Sequence, residues 1–192
     1  MDPTLPETHL AIMARMVLQA PSSKLGRTQL MKLCYFLQEI EGVPIRYDFR
    51  LFNYGPFDSE VLSDLGTACS RNTLKEQTVV YNRGYGYEIT PGESAEQLNT
   101  ELETSNPQLT AQIDRVVKAF AGDGAGELEL KSTILFVDRE FYRDGQPGSI
   151  DTISKRVHEV KPHFSEETIQ TRIVNLNEKG WLNSLEASVN DN

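Results

Sequence analysis

The stretch that decides the fold is KLCYFLQEIEGVPIRYDFRLFNYGPFDSEVLSDL, from Lys32 to Leu65. It opens inside a helical pattern whose apolar stripe is formed by Leu30, Leu33, Cys34 and Leu37. Gly42 is expected to end this helix. An aromatic-rich crossover follows Gly42. It contains Gly55-Pro56, which is incompatible with a helix there. Asp58 is a favourable N-cap for a second helix. A largely buried helix, an irregular crossover and a capped helix are therefore predicted in close succession.

The flanking sequence completes an order of elements that resembles a winged helix. An amphipathic helix precedes the stretch and ends before Pro21, with inward positions Leu10, Met13, Ala14 and Val17. After the capped helix, the β-prone runs Gln77–Tyr81 and Tyr85–Thr90 flank Asn82-Arg83-Gly84, which is a strong hairpin signal. We therefore predict an α+β, mainly α protein with a winged-helix-like N-terminal half over residues 1–95.

The remaining sequence predicts a helical C-terminal region, residues 96–186, packed on the N-terminal half as one unit. The polar segment 93–107 is expected to mix helix and turn. Four apolar patterns then predict helices: Leu109 to Phe120, about Glu127 to Arg139, one capped by Ser149 and ended by Pro162, and one capped by Ser165 and ended at Lys179-Gly180. Residues 187–192 are predicted to form a disordered tail.

Composition places the chain among globular proteins. It has 192 residues, 39% hydrophobic and 24% charged, with a formal net charge of −9. This charge disfavours a protein that coats nucleic acid and is compatible with a basic partner. No apolar run reaches the roughly 20 residues of a membrane span, and no signal peptide is recognisable. A cytoplasmic location is expected, with Cys34 and Cys69 as reduced thiols.

No constellation of residues indicates a reaction. The sequence lacks G-x-S-x-G, CxxC and HExxH motifs. His158 and His163 are separated by Pro162, so they do not share a helical face. The glycines of GYGYEI and GDGAGE lack the strand–loop–helix context of a phosphate loop. We therefore predict a protein that is not an enzyme, with no catalytic residue, metal or cofactor.

DNA binding is the alternative that the helix order leaves open. The helix after Asp58 carries acidic residues and neither Lys nor Arg, which is a poor face to set against phosphates. The C-terminal helix pair is better supplied, although its acidic residues balance its cations. A winged-helix transcription regulator would use the basic residues Lys155, Arg156, Arg172 and Lys179.

The opening stretch resembles the YwgA-like bacterial family and the related SocA-like, or Panacea, domains. Their shared features are a KLxYFxQ-type helix, a G-x-P shortly after it and an aromatic strand ending in YGP. Here these are Lys32–Gln38, Gly42-Val43-Pro44 and Asn53-Tyr54-Gly55-Pro56. Panacea domains are antitoxin modules that neutralise toxin proteins, and a SocA-type member is a proteolysis adaptor. The resemblance therefore implies a non-enzymatic, antitoxin-like or adaptor-like interaction protein of a bacterial or phage system.

The crossover is interpreted as a structural element whose rim holds a protein partner, either a toxin or a protease substrate. Seven of the chain's fifteen Phe and Tyr residues lie between Tyr35 and Phe57. Phe36, Phe49 and Phe52 are expected in the core, and Tyr54 at the surface. The sequence leaves open whether the protein forms a homodimer. The predicted partner-binding residues are Arg46, Tyr47, Asp48, Arg50, Tyr54, Gly55 and Pro56.

Overall fold

The computed structural model describes residues 5–81 and 84–185. Within these ranges the chain is mainly helical and α+β, as predicted. None of the described helices is both long enough and apolar enough to cross a bilayer. The elements are α1 (Leu5–Gln19), α2 (Arg27–Glu39), β1 (Arg50–Phe52), β2 (Gly55–Phe57), α3 (Ser59–Ser70), β3 (Leu74–Tyr81), β4 (Gly84–Pro91), α4 (Ala95–Ser105), α5 (Pro107–Phe120), α6 (Ala125–Arg143), α7 (Ile150–Val160) and α8 (Glu166–Glu178).

The chain divides into two compact units. The first comprises Met1–Arg50 with Phe57–Ala125, and the second Leu51–Pro56 with Gly126–Asn192. Helices α4 and α5 thus lie in the unit that contains α1 to α3. The division into domains near residue 95 stays a prediction, and the tail predicted for residues 187–192 lies outside the described residues.

Helix α1 is central to the first unit. It packs against α2, α3, α4, α5 and β4, and its predicted apolar stripe is fully buried. Helix α2 is buried continuously from Leu30 to Leu37, which confirms the expectation of an extensively enclosed helix. Phe36 of α2 stacks on Phe120 of α5 with ring centroids 4.0 Å apart. The two free cysteines, Cys34 and Cys69, also lie in this unit.

The hairpin predicted after α3 is confirmed. Strands β3 and β4 pair antiparallel in a register that runs from Leu74↔Pro91 to Tyr81↔Gly84. Ile89 is fully buried and bridges Leu25, so the base of the hairpin is part of the core. The residues predicted at the turn itself, Asn82 and Arg83, lie outside the described residues.

The expectation of mixed helix and turn at 93–107 is confirmed, since a turn at Glu93-Ser94 is followed by α4, which is continuous over Ala95–Ser105. Its short inner face of Ala95, Asn99 and Leu102 is sparsely apolar. Hydrogen bonds help to hold this sparsely apolar helix against α1. The buried guanidinium of Arg15 donates to Asn99 at 2.7 Å and to Glu103 at 2.6 Å. Two further bonds from Arg15, of 2.8 and 2.7 Å, join the carboxylate of Asp114 on α5.

The second unit is built from α6, α7, α8 and the short turn 51–56. Ser149 and Ser165 are confirmed as N-caps, since their side chains accept hydrogen bonds from the amides of Thr152 and Thr168. The fully buried Asp138 of α6 fixes the last described segment. Its carboxylate accepts from the amides of Asn183 and Ser184 and from the Ser184 hydroxyl, at 2.7 to 3.1 Å.

Candidate functional site

The first candidate site is the turn 51–56 of the second unit. Asn53 and Tyr54 form its tip between β1 and β2. Gly55 follows with φ of +83°, a left-handed conformation that favours glycine. A side chain here would also meet its neighbours, since an added Cβ would lie 3.0 Å from Ser132 Oγ and 3.2 Å from Thr133 Oγ1 of α6. Gly55 therefore allows the turn both to form and to pack closely on α6.

A buried lysine anchors the same turn. Lys161, at the end of α7, is only 3% exposed. Its ammonium group donates to the carbonyl of Phe52 at 3.1 Å and to that of Asn53, and it pairs with Glu129 Oε1 of α6 at 2.9 Å. A buried cation is tolerated where a carboxylate and hydrogen-bond acceptors replace its water. The contacts of Lys161 thus fix the backbone at the tip of the turn.

The anchored turn presents two aromatic side chains to solvent. Tyr54 is 74% exposed, which confirms the predicted exposure. Phe52 was expected in the core, but this expectation is wrong because it is 57% exposed. The reason is that the turn contacts the rest of the second unit through its backbone, at Lys161 and at Gly55. The side chains of Phe52 and Tyr54 are therefore left in solvent. Gly55 and Pro56, also predicted to bind a partner, are buried.

The other predicted partner-binding residues lie in the first unit and have different environments. Arg46, Asp48 and Arg50 are exposed. Arg46 has φ of +61°, so this segment is not a regular strand. Arg50 pairs with Asp48 at 2.8 Å, and because both side chains are about three-quarters exposed the pair contributes little stability. Tyr47 is 7% exposed and turned inward.

The inward Tyr47 belongs to a polar cluster that the sequence analysis missed. Its hydroxyl donates to Asp64 Oδ2 of α3 at 2.7 Å, and the same oxygen accepts from His9 Nδ1 of α1 at 2.7 Å. Burial alone would raise the pKa of Asp64, but these two hydrogen bonds hold it below its ordinary value. Burial also raises the pKa of the Tyr47 hydroxyl well above its usual range. His9 lies 55 residues from Asp64 in the sequence, so no local spacing signals the cluster.

A cavity of about 390 Å³ lies beside His9 in the first unit. The start of α1, the loop 42–45 and the start of α5 form its walls. Residues 5–81 and 84–185 contain no group of three His, Cys, Asp or Glu side chains placed to hold a metal ion. The wall of the cavity combines the polar side chains of His9, Gln108 and Gln112 with apolar ones.

The basic residues of the DNA-binding alternative are largely paired with carboxylates. Lys155 pairs with Asp151 at 2.8 Å, and Arg156 with Glu159 at 3.0 Å, both along α7. Arg172 of α8 bonds Glu127 of α6 at 2.5 Å. Lys179 is exposed at the end of α8. These pairs reduce the positive charge that the helix pair offers to phosphates.

Comparison with known proteins adds no family assignment. A scan of the chain against protein-family models finds no match. A search of curated proteins finds no similar sequence. The resemblance to YwgA-like and Panacea proteins therefore stays a prediction carried by the motifs of the opening stretch.

Proposed function

We propose that the protein is a non-enzymatic interaction module, antitoxin-like or adaptor-like, that binds a protein partner through the turn 51–56. The observation that carries the proposal is the exposure of Phe52 and Tyr54 on a backbone anchored by the buried Lys161. The partner is a toxin or a protease substrate of a bacterial or phage system, and the complex forms in the cytoplasm.

An anchored aromatic pair is well suited to protein binding. Tyr and other aromatic residues dominate binding hot spots because they bury a large area with few rotatable bonds. A turn that is already fixed loses little conformational entropy when a partner docks. The hydroxyl of Tyr54 also allows a hydrogen bond at the rim of an apolar contact. The net charge of −9 favours encounter with a basic partner.

The test is recovery of the partner by the tagged, full-length protein from its own host, identified and quantified by mass spectrometry. We expect one protein in a stoichiometric amount. Tyr54→Ala is expected to weaken the purified complex by about 30-fold, the effect of a hot spot worth about 2 kcal/mol. Arg50→Ala is expected to weaken it less, because Arg50 is already paired with Asp48.

Tyr142→Ala is the matched control. Tyr142 is another aromatic residue of the second unit and is 59% exposed, but it lies on α6 and not on the turn. Its replacement should leave the complex unchanged. Normal binding by both Tyr54→Ala and Arg50→Ala, in folded protein, would show that the surface is wrongly placed.

The second candidate function is that of a winged-helix transcription regulator. It is supported by the order of α1, α2 and α3 followed by the antiparallel hairpin of β3 and β4. Such a regulator would show salt-sensitive DNA binding that weakens in Arg172→Ala and Lys155→Ala. Electrophoretic mobility shifts at low salt test this directly, and the absence of DNA affinity there would exclude the regulator.

A further inference from the structure

We propose that the protein pairs with a second copy of itself through the outer edge of β3, so that two hairpins form one four-stranded antiparallel sheet. The pairing segment is the distal part of β3, residues 77–81, in the first unit. The turn 51–56, proposed to bind a different protein, belongs to the second unit.

The bridge between Leu25 and Ile89 shows which backbone groups of the hairpin point outward. Leu25 donates to the carbonyl of Ile89 at 3.1 Å, and the amide of Ile89 donates back at 2.8 Å. Ile89 therefore directs its amide and carbonyl away from β3. In an antiparallel pair, residues directly opposite each other share this character, and it recurs at every second residue. Glu76, opposite Ile89, thus faces outward from the other edge, and so do Thr78 and Val80.

The outer edge of β3 is open at two of these residues. The backbone of Glu76 is already hydrogen-bonded to the thiol of Cys69. The amides and carbonyls of Thr78 and Val80 meet no hydrogen-bond partner among the residues that the structure describes. An open strand edge is a template for pairing with another strand, and native proteins protect such edges with proline, charge or a covering element. The segment QTVVY that forms this edge contains neither proline nor charge.

A second copy satisfies both open residues in one symmetric register. With a two-fold axis at Val79, Thr78 lies opposite Val80 of the second copy, and Val80 lies opposite its Thr78. Each of these two pairs exchanges two hydrogen bonds, so every open group of the edge finds its partner. Such two-fold contacts, in which the same patch serves both subunits, are the commonest in homo-oligomers.

The charge of the edge also favours a second copy as the occupant. The outermost pair in this register is Gln77 with Tyr81 of the second copy, so no like charges lie opposite each other. Two copies therefore meet here without local repulsion, although each chain carries a formal net charge of −9. A basic partner, by contrast, would find no carboxylate on the segment itself.

The side chains beside the edge are apolar and uncovered. Val80 and its opposite residue Tyr85 are 85% and 71% exposed. Closer to the core the same face is covered, since the guanidinium carbon of Arg27 lies 3.5 Å from the centroid of the Tyr87 ring. In the paired sheet Val80 would lie between Tyr85 and Thr78 of the second copy. Adjacent β-branched and aromatic residues of this kind stabilise cross-strand pairs.

The size of the contact determines its expected strength. Five residues on each strand bury less than the roughly 1,200–2,000 Å² of a standard interface, which is typical of weak association. We expect a dimer with Kd of about 0.1 mM. The test is therefore sedimentation equilibrium of the full chain from about 0.01 to about 1 mM, a range that brackets this Kd. The weight-average mass should rise from that of one chain toward that of two.

Val80→Pro tests the edge directly. It removes the outward amide of Val80 and no hydrogen bond of the hairpin, and proline is tolerated on edge strands at such positions. Val80→Pro should stay monomeric over the whole range, with the thermal stability of the native chain. Val80→Thr, which keeps the amide and the β-branch, is the matched control and should dimerise as the native chain does. A native chain that is monomeric at about 1 mM, or a folded Val80→Pro that still dimerises, would overturn the proposal.

Amide hydrogen exchange of the unaltered chain gives a second measurement, which does not depend on how a variant folds. The amides of Thr78 and Val80 should exchange about fourfold more slowly at the upper end of the concentration range than at the lower end, because the dimer protects them. The amide of Tyr85 points outward from the opposite edge and should exchange at the same rate throughout. A rate for Val80 that does not change with concentration would show that this edge is not the contact.

Discussion

Tyr47 and Tyr54 belong to the same crossover, yet their surroundings assign them opposite roles. Tyr47 is 7% exposed and donates to Asp64. Tyr54 is 74% exposed on a turn held through backbone atoms. Each environment depends on a polar residue distant in sequence, Asp64 for the first tyrosine and Lys161 for the second. Residue type alone therefore does not separate a structural aromatic from a surface aromatic.

Removal of the lysine anchor should have the largest effect. In Lys161→Met, Glu129 stays buried without its main counter-ion and the carbonyls of Phe52 and Asn53 lose their donor. We expect the free energy of unfolding to fall by about 3–5 kcal/mol, measured by urea denaturation. Lys155→Met, on the exposed side of α7, should cause no measurable change. Equal effects of the two variants would contradict the proposed anchor.

Alteration of the glycine in the turn should come next. Gly55→Ala forces a left-handed conformation on alanine and brings Cβ to 3.0 Å from Ser132 Oγ. We expect a loss of about 2–3 kcal/mol in the free energy of unfolding.

Gly42→Ala is the matched control for this change. Gly42 also has positive φ, of +66°, but nothing lies within 4 Å of its added Cβ. Its loss of stability should be about 1 kcal/mol, from backbone strain alone. If the two variants lose the same amount, close packing of the turn on α6 adds nothing to stability.

The two tyrosines can be compared directly by removing one oxygen from each. Tyr47→Phe deletes a buried donor to Asp64 and should lower the free energy of unfolding by about 1–2 kcal/mol. Tyr54→Phe deletes a hydroxyl on a side chain that is largely in water. Its effect should be within about 0.5 kcal/mol. Thermal or urea denaturation of both variants would disprove the contrast if their losses were alike.

The inner cluster should also leave a signature at low pH. Hydrogen bonds from His9 and Tyr47 hold the pKa of Asp64 below its ordinary value despite partial burial. A depressed folded pKa stabilises the protein above the unfolded pKa, and this contribution is lost as pH falls through the folded value. Stability should therefore fall more steeply below about pH 4 in the native chain than in Asp64→Asn.

The control for the pH series is Asp48→Asn, which alters an exposed carboxylate outside the cluster. Urea midpoints between about pH 7 and about pH 2.5 should follow the native chain in this variant. An unchanged slope in Asp64→Asn would show that the cluster does not contribute to acid sensitivity.

The sequence predicted the elements in which a strong local signal and burial agree. The apolar stripes of α1 and α2, the caps Asp58, Ser149 and Ser165, and the hairpin after α3 all depend on neighbouring residues. Helix α4 was expected only as part of a mixed segment, because its stability depends partly on Arg15, which lies 84 residues from Asn99. Its own apolar pattern is too sparse to predict its bounds.

The candidate sites were less predictable for the same reason. The exposure of Tyr54 followed from its hydroxyl and its place before Gly55-Pro56. The exposure of Phe52 did not, because it depends on Lys161, which lies 109 residues away. The cluster of His9, Tyr47 and Asp64 brings together three elements that are well separated in sequence. Pairwise contacts over such distances are set by the tertiary fold and have no local sequence signature.

The second unit is built from two segments that lie far apart in the sequence, which has a consequence for synthesis on the ribosome. Residues 51–56 belong with residues 126–192, and Asn53 precedes its anchor Lys161 by 108 residues. At roughly 5–20 residues per second, the turn is synthesised about 5–20 s before Lys161. Phe52 and Tyr54 therefore spend this interval on a turn whose anchor is not yet present.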